Sequence, residues 1–560
     1  MFKKALAIAI LFTAVGAVAA TFGDDVVTEL HAMKSVYGAQ YAPAAWKKQY
    51  SGYDIDAELK KAIATVQSKP NFSIQDSRQV FGDFVYAMKD YHVSIQFQST
   101  ERAELPLKVK GAQDRFFLVE IDRTRLSATA FPFNPGDEIV TFDGRPVLDV
   151  VKEIQQQSVA NVDVTDRAIA EMRLFRRSGA GGFKVPKGPL TLGLVRKGET
   201  VVREVQLLWG YTPEKVAPRG PFFDANIFAA ALAKSKVNLL DPKMSVTIAG
   251  LDAAPQAGAF DLGVRKSFIP DLGTKEWESD ATSEFYAYTF KTAEGKRVGY
   301  VRIANYTPND AAKAVKDMAA ILQKFQAETD SMVIDQVNNP GGSVFYLYAL
   351  ASLMTDQPLK TPRHRMTITQ ADVLDSLSTI AEIEKIKTED DVSKAIPSGE
   401  MGGYPVSLEF LKFMKSYAQF IVDEWTAGHR LSEPYWIAGV DRINPGVVQY
   451  TKPIMIVVNE LDFSGGDFFP TIMQDNKRVT VFGTRTAGAG GYVNSVTIPN
   501  NVGIAGFSVT GSIAERVNGQ PIENLGVTPD VMYSMTAEDI ANGFGGYTKA
   551  ILAEVKKLTP

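Results

Sequence analysis

At 560 residues the chain is long enough for about three domains, and its 45% hydrophobic and 22% charged residues are ordinary for a globular protein. A net charge of −4, with no block of basic residues, excludes the electrostatic footprint of a nucleic-acid binder. The absence of cysteine removes disulfides, thiolate metal sites and a cysteine nucleophile; the four histidines (His31, His92, His364, His429) show no metal-ligand spacing, so neither a metal nor another cofactor is expected.

Met1-Phe2-Lys3-Lys4, an apolar run to about Val18 and the small residues Ala17–Ala20 have the three-part form of a cleaved export signal, predicting a signal peptide over 1–20 and an exported protein, periplasmic or secreted. The run is short for a bilayer span of about 20 residues, and no later stretch is apolar enough, so no stable membrane span is expected after cleavage. Residues 21–104 read as an N-terminal helical region. Val80, Phe81, Phe84, Val85 and Met88 recur on one helical face. The period then changes: Val93, Ile95 and Phe97 alternate with His92, Ser94 and Gln96, which predicts a strand with His92 opening its polar face.

Residues 105–210 form a β-rich module, with a turn, strand and Asp-Gly hairpin over 134–147, a helix over 147–157, and alternating strands at 190–197 and 201–208. The cluster Gly179-Ala180-Gly181-Gly182 follows no predicted strand and reads as a flexible loop. Residues 211–290, broken by six prolines, are linker-like. From 291 to 545 a β-α-β pattern predicts a largely parallel α/β core. Its first helix is capped by Asn309, Asp335 ends a structural strand, and about 362–445 is a helical insertion.

Two strand-to-helix junctions in that core carry glycines: Asn338-Asn339-Pro340-Gly341-Gly342 and Ser464-Gly465-Gly466, the second after the all-apolar run Pro453–Val458. Open α/β sheets bind ligands at this edge, where helix N-termini present unpaired N–H groups. A serine there can attack a carbonyl while Gly465 and Gly341 or Gly342 stabilise the oxyanion; alone, Ser464 reads equally well as an N-cap. Asp467, three residues on, steers or simply stabilises the first helical turn.

The ordered series Asp335–Gly342, Val457-Val458-Asn459-Glu460, Ser464, Gln474-Asp475-Asn476 and Val481-Phe482-Gly483 resembles the C-terminal processing (tail-specific) peptidase family. The stretch 136–144 is similar to a PDZ domain. The resemblance implies a ClpP/crotonase-like catalytic core with an inserted PDZ-like domain. It also implies a serine endopeptidase acting on protein or peptide substrates. The lysine that many members place in a Gly-Lys-Gly loop is missing from Thr486-Ala487-Gly488-Ala489-Gly490, and Lys477 sits in a turn outside it. Instead Asp90-Tyr91-His92-Val93-Ser94 and Ile522-Glu523-Asn524-Leu525-Gly526 resemble the Ser-His-Glu branch, which includes the chlamydial protease-like activity factor and the tricorn core. That branch implies Ser464 as nucleophile, His92 as general base and Glu523 as the group orienting it. By the same likeness a homodimer and a self-cleaved inhibitory segment, in 211–290 or 362–445, enter as candidates. The rival reading is a non-catalytic ligand- or peptide-binding protein on the same scaffold. His31, His364 and His429 are surface or packing residues.

Overall fold

The computed structural model describes residues 21–158, 161–217 and 258–559, with the backbone of a short strand at 243–245. The expected signal segment 1–20 and residues 218–242 and 246–257 of the linker lie outside the described residues. None of the described helices is long and apolar enough to cross a membrane.

The C-terminal half is built on a seven-stranded sheet in the order Lys275–Glu278, Ala287–Lys291, Arg297–Arg302, Ser331–Asp335, Ile454–Val458, Thr480–Gly483, Val531–Met532. The first three strands are antiparallel and the remainder run parallel. Register stacks Val301, Ile334, Ile456 and Val481 on one face, against the helices Ala311–Glu328, Val344–Ser352 and Gly465–Asp475. Val333, Met455, Val457 and Phe482 face the other way, onto the C-terminal helix Gly545–Leu558. Both faces are covered, which is why these strands are apolar without alternation. Each fully buried Val or Ile contributes about 1.5–3 kcal/mol. The helix after the first parallel strand is capped by Asp310, whose carboxylate accepts the Lys313 N–H at 2.9 Å, and not by Asn309.

Four helices, Phe22–Gln40, Ala44–Ser51, Ile55–Gln67 and Ile74–Tyr86, form the N-terminal region. Their shared core includes Ile504, Phe507 and Val509 from near the C-terminus. The short strand Ile95–Phe97 pairs antiparallel with Ile504–Thr510, fixing the front of the chain to its end. The predicted strand starts later than expected. Lys89 has a left-handed φ of 52°, and the Asp90 carboxylate accepts the His92 N–H at 2.8 Å. Such a local side-chain bond competes with a sheet ladder, so Tyr91 and His92 form a turn and His92 is buried.

The PDZ-like module is an antiparallel sheet ordered Leu107–Ala112, Arg115–Ile121, Glu138–Phe142, Pro189–Val195, Val202–Leu208, with helices Val147–Gln156 and Asp163–Leu174. Between its edge strand and the second helix lies a cavity of about 300 Å³ that faces the C-terminal half at Asn338 and Leu461. The 179–182 cluster is no free loop: it follows the strand Arg176–Ser178 as a 3-10 turn, and Gly179 and Gly181 are buried. Helices Gln370–Ile383, Glu389–Ala395 and Leu408–Thr426 make up the insertion.

Candidate active site

Ser464 stands at the end of the strand Ile454–Val458, on the turn into the helix Gly465–Asp475. Its φ of 57° and ψ of −113° are unusual for a residue with a side chain, a conformation that costs on the order of 1–3 kcal/mol. The surroundings hold it there. Asp467 Oδ2 accepts the Ser464 N–H at 2.7 Å and the Ala489 N–H at 2.9 Å, while Oδ1 accepts from Thr486 Oγ1 at 2.5 Å and Gly488 N at 2.8 Å. Asp467 thus ties the serine turn to the loop that lacks the family lysine. Burial raises its pKa to about 6.

The Asn338–Gly342 junction is laced to the serine loop. Asp462 accepts the Asn339 N–H at 2.9 Å and the Asn459 N–H at 3.0 Å, and Asn459 and Asn338 exchange bonds at 2.9 and 2.8 Å. The Gly341 N–H is already donated to Asn339 Oδ1 at 2.8 Å. Glycine is required at Gly342, and Gly465 is tightly packed. A Cβ on Gly342, whose φ is 151°, would lie 2.1 Å from the Tyr306 carbonyl carbon, and one on Gly465 would lie 3.1 Å from Gly342 N. The backbones of Gly465 and Gly342 therefore converge beside Ser464. The described strand at 243–245 pairs antiparallel with Gly341–Ser343 along this same edge.

His92 Nε2 lies 2.8 Å from Ser464 Oγ, although 372 positions separate them in the chain. The imidazole is buried, and burial lowers its pKa to about 4. The Asp90 charge pulls it up and the Lys47 charge pushes it down. Nδ1 has no hydrogen-bond partner among the described residues. Asp90 Oδ2 accepts from Tyr41 OH at 3.0 Å and Thr510 Oγ1 at 2.8 Å, so Asp90 anchors the histidine turn.

Glu523 is fully buried next to this pair. One carboxylate oxygen accepts the Gly490 N–H at 2.8 Å and the other is bonded to Lys47 Nζ. Lys47 is wholly buried too, and also donates to Lys89 O and Asn524 Oδ1, each at 2.8 Å. Burial pushes the Glu523 carboxyl up, with the Asp90 charge adding to it and Lys47 opposing both. Asp90, His92 and Glu523 present ligand-type atoms all within 4.8 Å of one another. A divalent cation there would meet the Lys47 ammonium already seated on Glu523, so the donor set does not fit one.

Lys47 and the anchoring role of Asp90 were not legible in the sequence. A lysine on an amphipathic helix carries no signal, and its only distinguishing mark is complete burial. Lys477 is exposed and lies in the turn after the helix Gly465–Asp475. His364 is a packing residue: its ring stacks on Phe468 at 5.4 Å and Nδ1 lies 3.2 Å from Ser512 Oγ. His429 is paired with Glu424 at the surface. Asp335 is structural, bonded to Arg302, Tyr300 and Ser267 inside the sheet end.

A doubly covered α/β sheet with a serine and a histidine in contact at its carboxyl edge defines a serine-type peptidase scaffold, and the comparisons agree. Residues 101–216 match the PDZ domain profile and residues 297–533 match peptidase family S41. The chain belongs to family S41 and is a serine-type peptidase. A Chlamydia trachomatis protein is 35% identical over 95% of this chain and 92% of its own length; a Chlamydia pneumoniae protein is 31% identical over 94% and 89%. The solved structure of mature CPAF complexed with lactacystin superposes with a TM-score of 0.83 at 34% identity, covering 96% of this chain and 99% of that one. The non-catalytic reading of the scaffold is set aside.

Proposed function

We propose that the protein is an exported serine endopeptidase that works through an acyl-enzyme on Ser464. The contact between His92 Nε2 and Ser464 Oγ, 2.8 Å, carries the reading. As Oγ forms a bond to the substrate carbonyl carbon, its proton passes to Nε2. The carbonyl oxygen becomes an oxyanion held by the N–H groups of Gly465 and of Gly341 or Gly342; the Gly341 N–H is engaged by Asn339 and Gly342 is paired with Met244, so either donor is freed only when that partner moves. Collapse expels the amine, which takes the proton from His92, and water then repeats the cycle to release the acid.

Both acids serve the transient imidazolium. Asp90 fixes the histidine turn and supplies negative charge, and Glu523, held by Lys47 and Gly490, lies beside the ring. The neutral resting histidine follows from its lowered pKa.

The strand at 243–245 occupies the edge where an extended substrate would add, which supports 211–290 over 362–445 as the inhibitory segment. A fluorophosphonate probe tests the chemistry: labelling of the processed protein that vanishes in Ser464→Ala and His92→Ala supports it, and a processed, folded protein that never labels refutes it. Nicking within 218–257 should raise the labelling rate several-fold; an unchanged rate removes the inhibitory role. Export is tested by the N-terminus of the protein recovered outside the cytoplasm, expected near residue 21.

A further inference from the structure

The helix Asp163–Leu174 belongs to the PDZ-like module, yet its first turn and the two residues before it reach all three loops of the site. Thr165 Oγ1 donates to the Glu460 carbonyl at 2.8 Å, four residues before Ser464. Asp166 Oδ1 accepts from Tyr91 OH at 2.7 Å, next to His92, and the same hydroxyl accepts the Val162 N–H at 3.1 Å. Asn161 Oδ1 accepts from Asn524 Nδ2 at 2.7 Å, next to Glu523.

The bonds of Thr165 and Asp166 are shielded from water. Thr165, Asp166 and Tyr91 are each at most 5% exposed. A separate apolar cluster joins Val162, Ala168 and Ile169 of the module to Tyr91, Leu461, Phe463, Ala487 and Ala489 of the site loops. Within it the Tyr91 and Phe463 rings meet edge to face at 5.4 Å, linking the neighbours of His92 and Ser464 directly. Among the described residues, the His92–Ser464 contact is the one hydrogen bond that joins these two loops directly.

We propose that Thr165, Asp166, Asn161 and Tyr91 are positioning residues of the peptidase site, so that the PDZ-like module is a built-in part of the catalytic centre. The chemistry demands this kind of support. A proton passes between Ser464 and His92 only when the two atoms are held in hydrogen-bond reach, and a misplacement of about 1 Å can cost on the order of 100-fold. The two groups come from separate chain segments, and the module supplies a third body that grips both. A module swung away would release Tyr91, the Glu460 carbonyl and Asn524 together.

This inference rests on the Ser464–His92 reading, and the experiment separates the two. Saturation kinetics of fluorophosphonate labelling of the full chain give a maximal rate and a half-saturating concentration. Wild-type protein that does not label defeats the functional reading itself. With wild type labelling, Thr165→Val, which keeps the shape and deletes the donor, should lower the maximal rate at least 10-fold. Its half-saturating concentration should stay unchanged, its melting temperature should fall by no more than a few degrees for the one lost buried bond, and Thr165→Ser should recover within 3-fold of wild type. Tyr91→Phe should act likewise. Maximal rates in Thr165→Val and Tyr91→Phe within 2-fold of wild type overturn the proposal. A loss that Thr165→Ser does not recover overturns it as well. Should Tyr91→Phe fail to fold, the Thr165 pair decides alone.

Discussion

Replacing Lys47 by methionine keeps the stem and removes the charge, and the structure sets the expected cost. The ammonium is fully buried and bonded to the Lys89 carbonyl, Asn524 Oδ1 and the Glu523 carboxylate. Deleting one partner of a buried pair leaves the other charge uncompensated, at about 3–5 kcal/mol. Lys47→Met should therefore destabilise the N-terminal region by about that amount in urea unfolding followed by the fluorescence of Trp46, whose Nε1 donates to Asn524 Oδ1 at 2.9 Å. Glu523→Gln in the same chain removes the stranded charge, so the double variant should recover about half of the loss or more. The pH dependence has a definite sign. Without Lys47, burial and the Asp90 charge keep the Glu523 carboxyl raised, with the Gly490 N–H bond left to oppose them. A carboxyl raised in the folded state stabilises the fold below its folded pKa and loses that contribution as pH rises through it. Lys47→Met should thus be least harmful near pH 5 and most harmful above pH 7. A single-variant cost below about 1 kcal/mol, or a double variant no better than Lys47→Met, would refute the buried-pair argument.

Labelling should persist well into acid, because His92 must be neutral to accept a proton and burial holds its pKa near 4; a rate that halves near pH 6.5 would contradict this. Asp90→Asn removes the charge that raises the His92 pKa, so the acid limb should move lower still while the maximal rate falls, both read from a pH profile of labelling. Ser464→Gly should unfold at higher denaturant than Ser464→Ala by about 1 kcal/mol, since only glycine adopts the φ of 57° without strain. Gly342→Ala should abolish labelling in a protein that still shows native circular dichroism, since its Cβ would sit 2.1 Å from the Tyr306 backbone. Lys477→Ala should leave labelling as in wild type, the side chain being exposed and away from the buried serine.

The catalytic half was readable because its strands and junctions follow local rules. An apolar run ends in glycines and a serine, and the parallel sheet covered on both faces needs such runs. The likeness to known peptidases led to His92 and Glu523, but their local geometry was not readable. Alternation from Tyr91 to Phe97 suggested a strand, whereas Asp90 bonds its own backbone two residues on and bends the chain. The cap at Asp310 displaced the equally plausible Asn309 for a similar reason, since only the bond actually made distinguishes neighbouring capping residues. Lys47, Thr165 and Asp166 act through contacts spanning tens to hundreds of positions, and no periodicity in one sequence encodes those.

The pairing of Ile95–Phe97 with Ile504–Thr510 also bears on how the molecule comes to be made. During synthesis the histidine emerges more than four hundred residues before the strand that seats it, and loops this long close only late in folding. A nascent or prematurely terminated chain ending before about residue 504 has no partner strand for the histidine segment. Under the proposed mechanism, completion of the chain is itself the step that seats His92 beside Ser464.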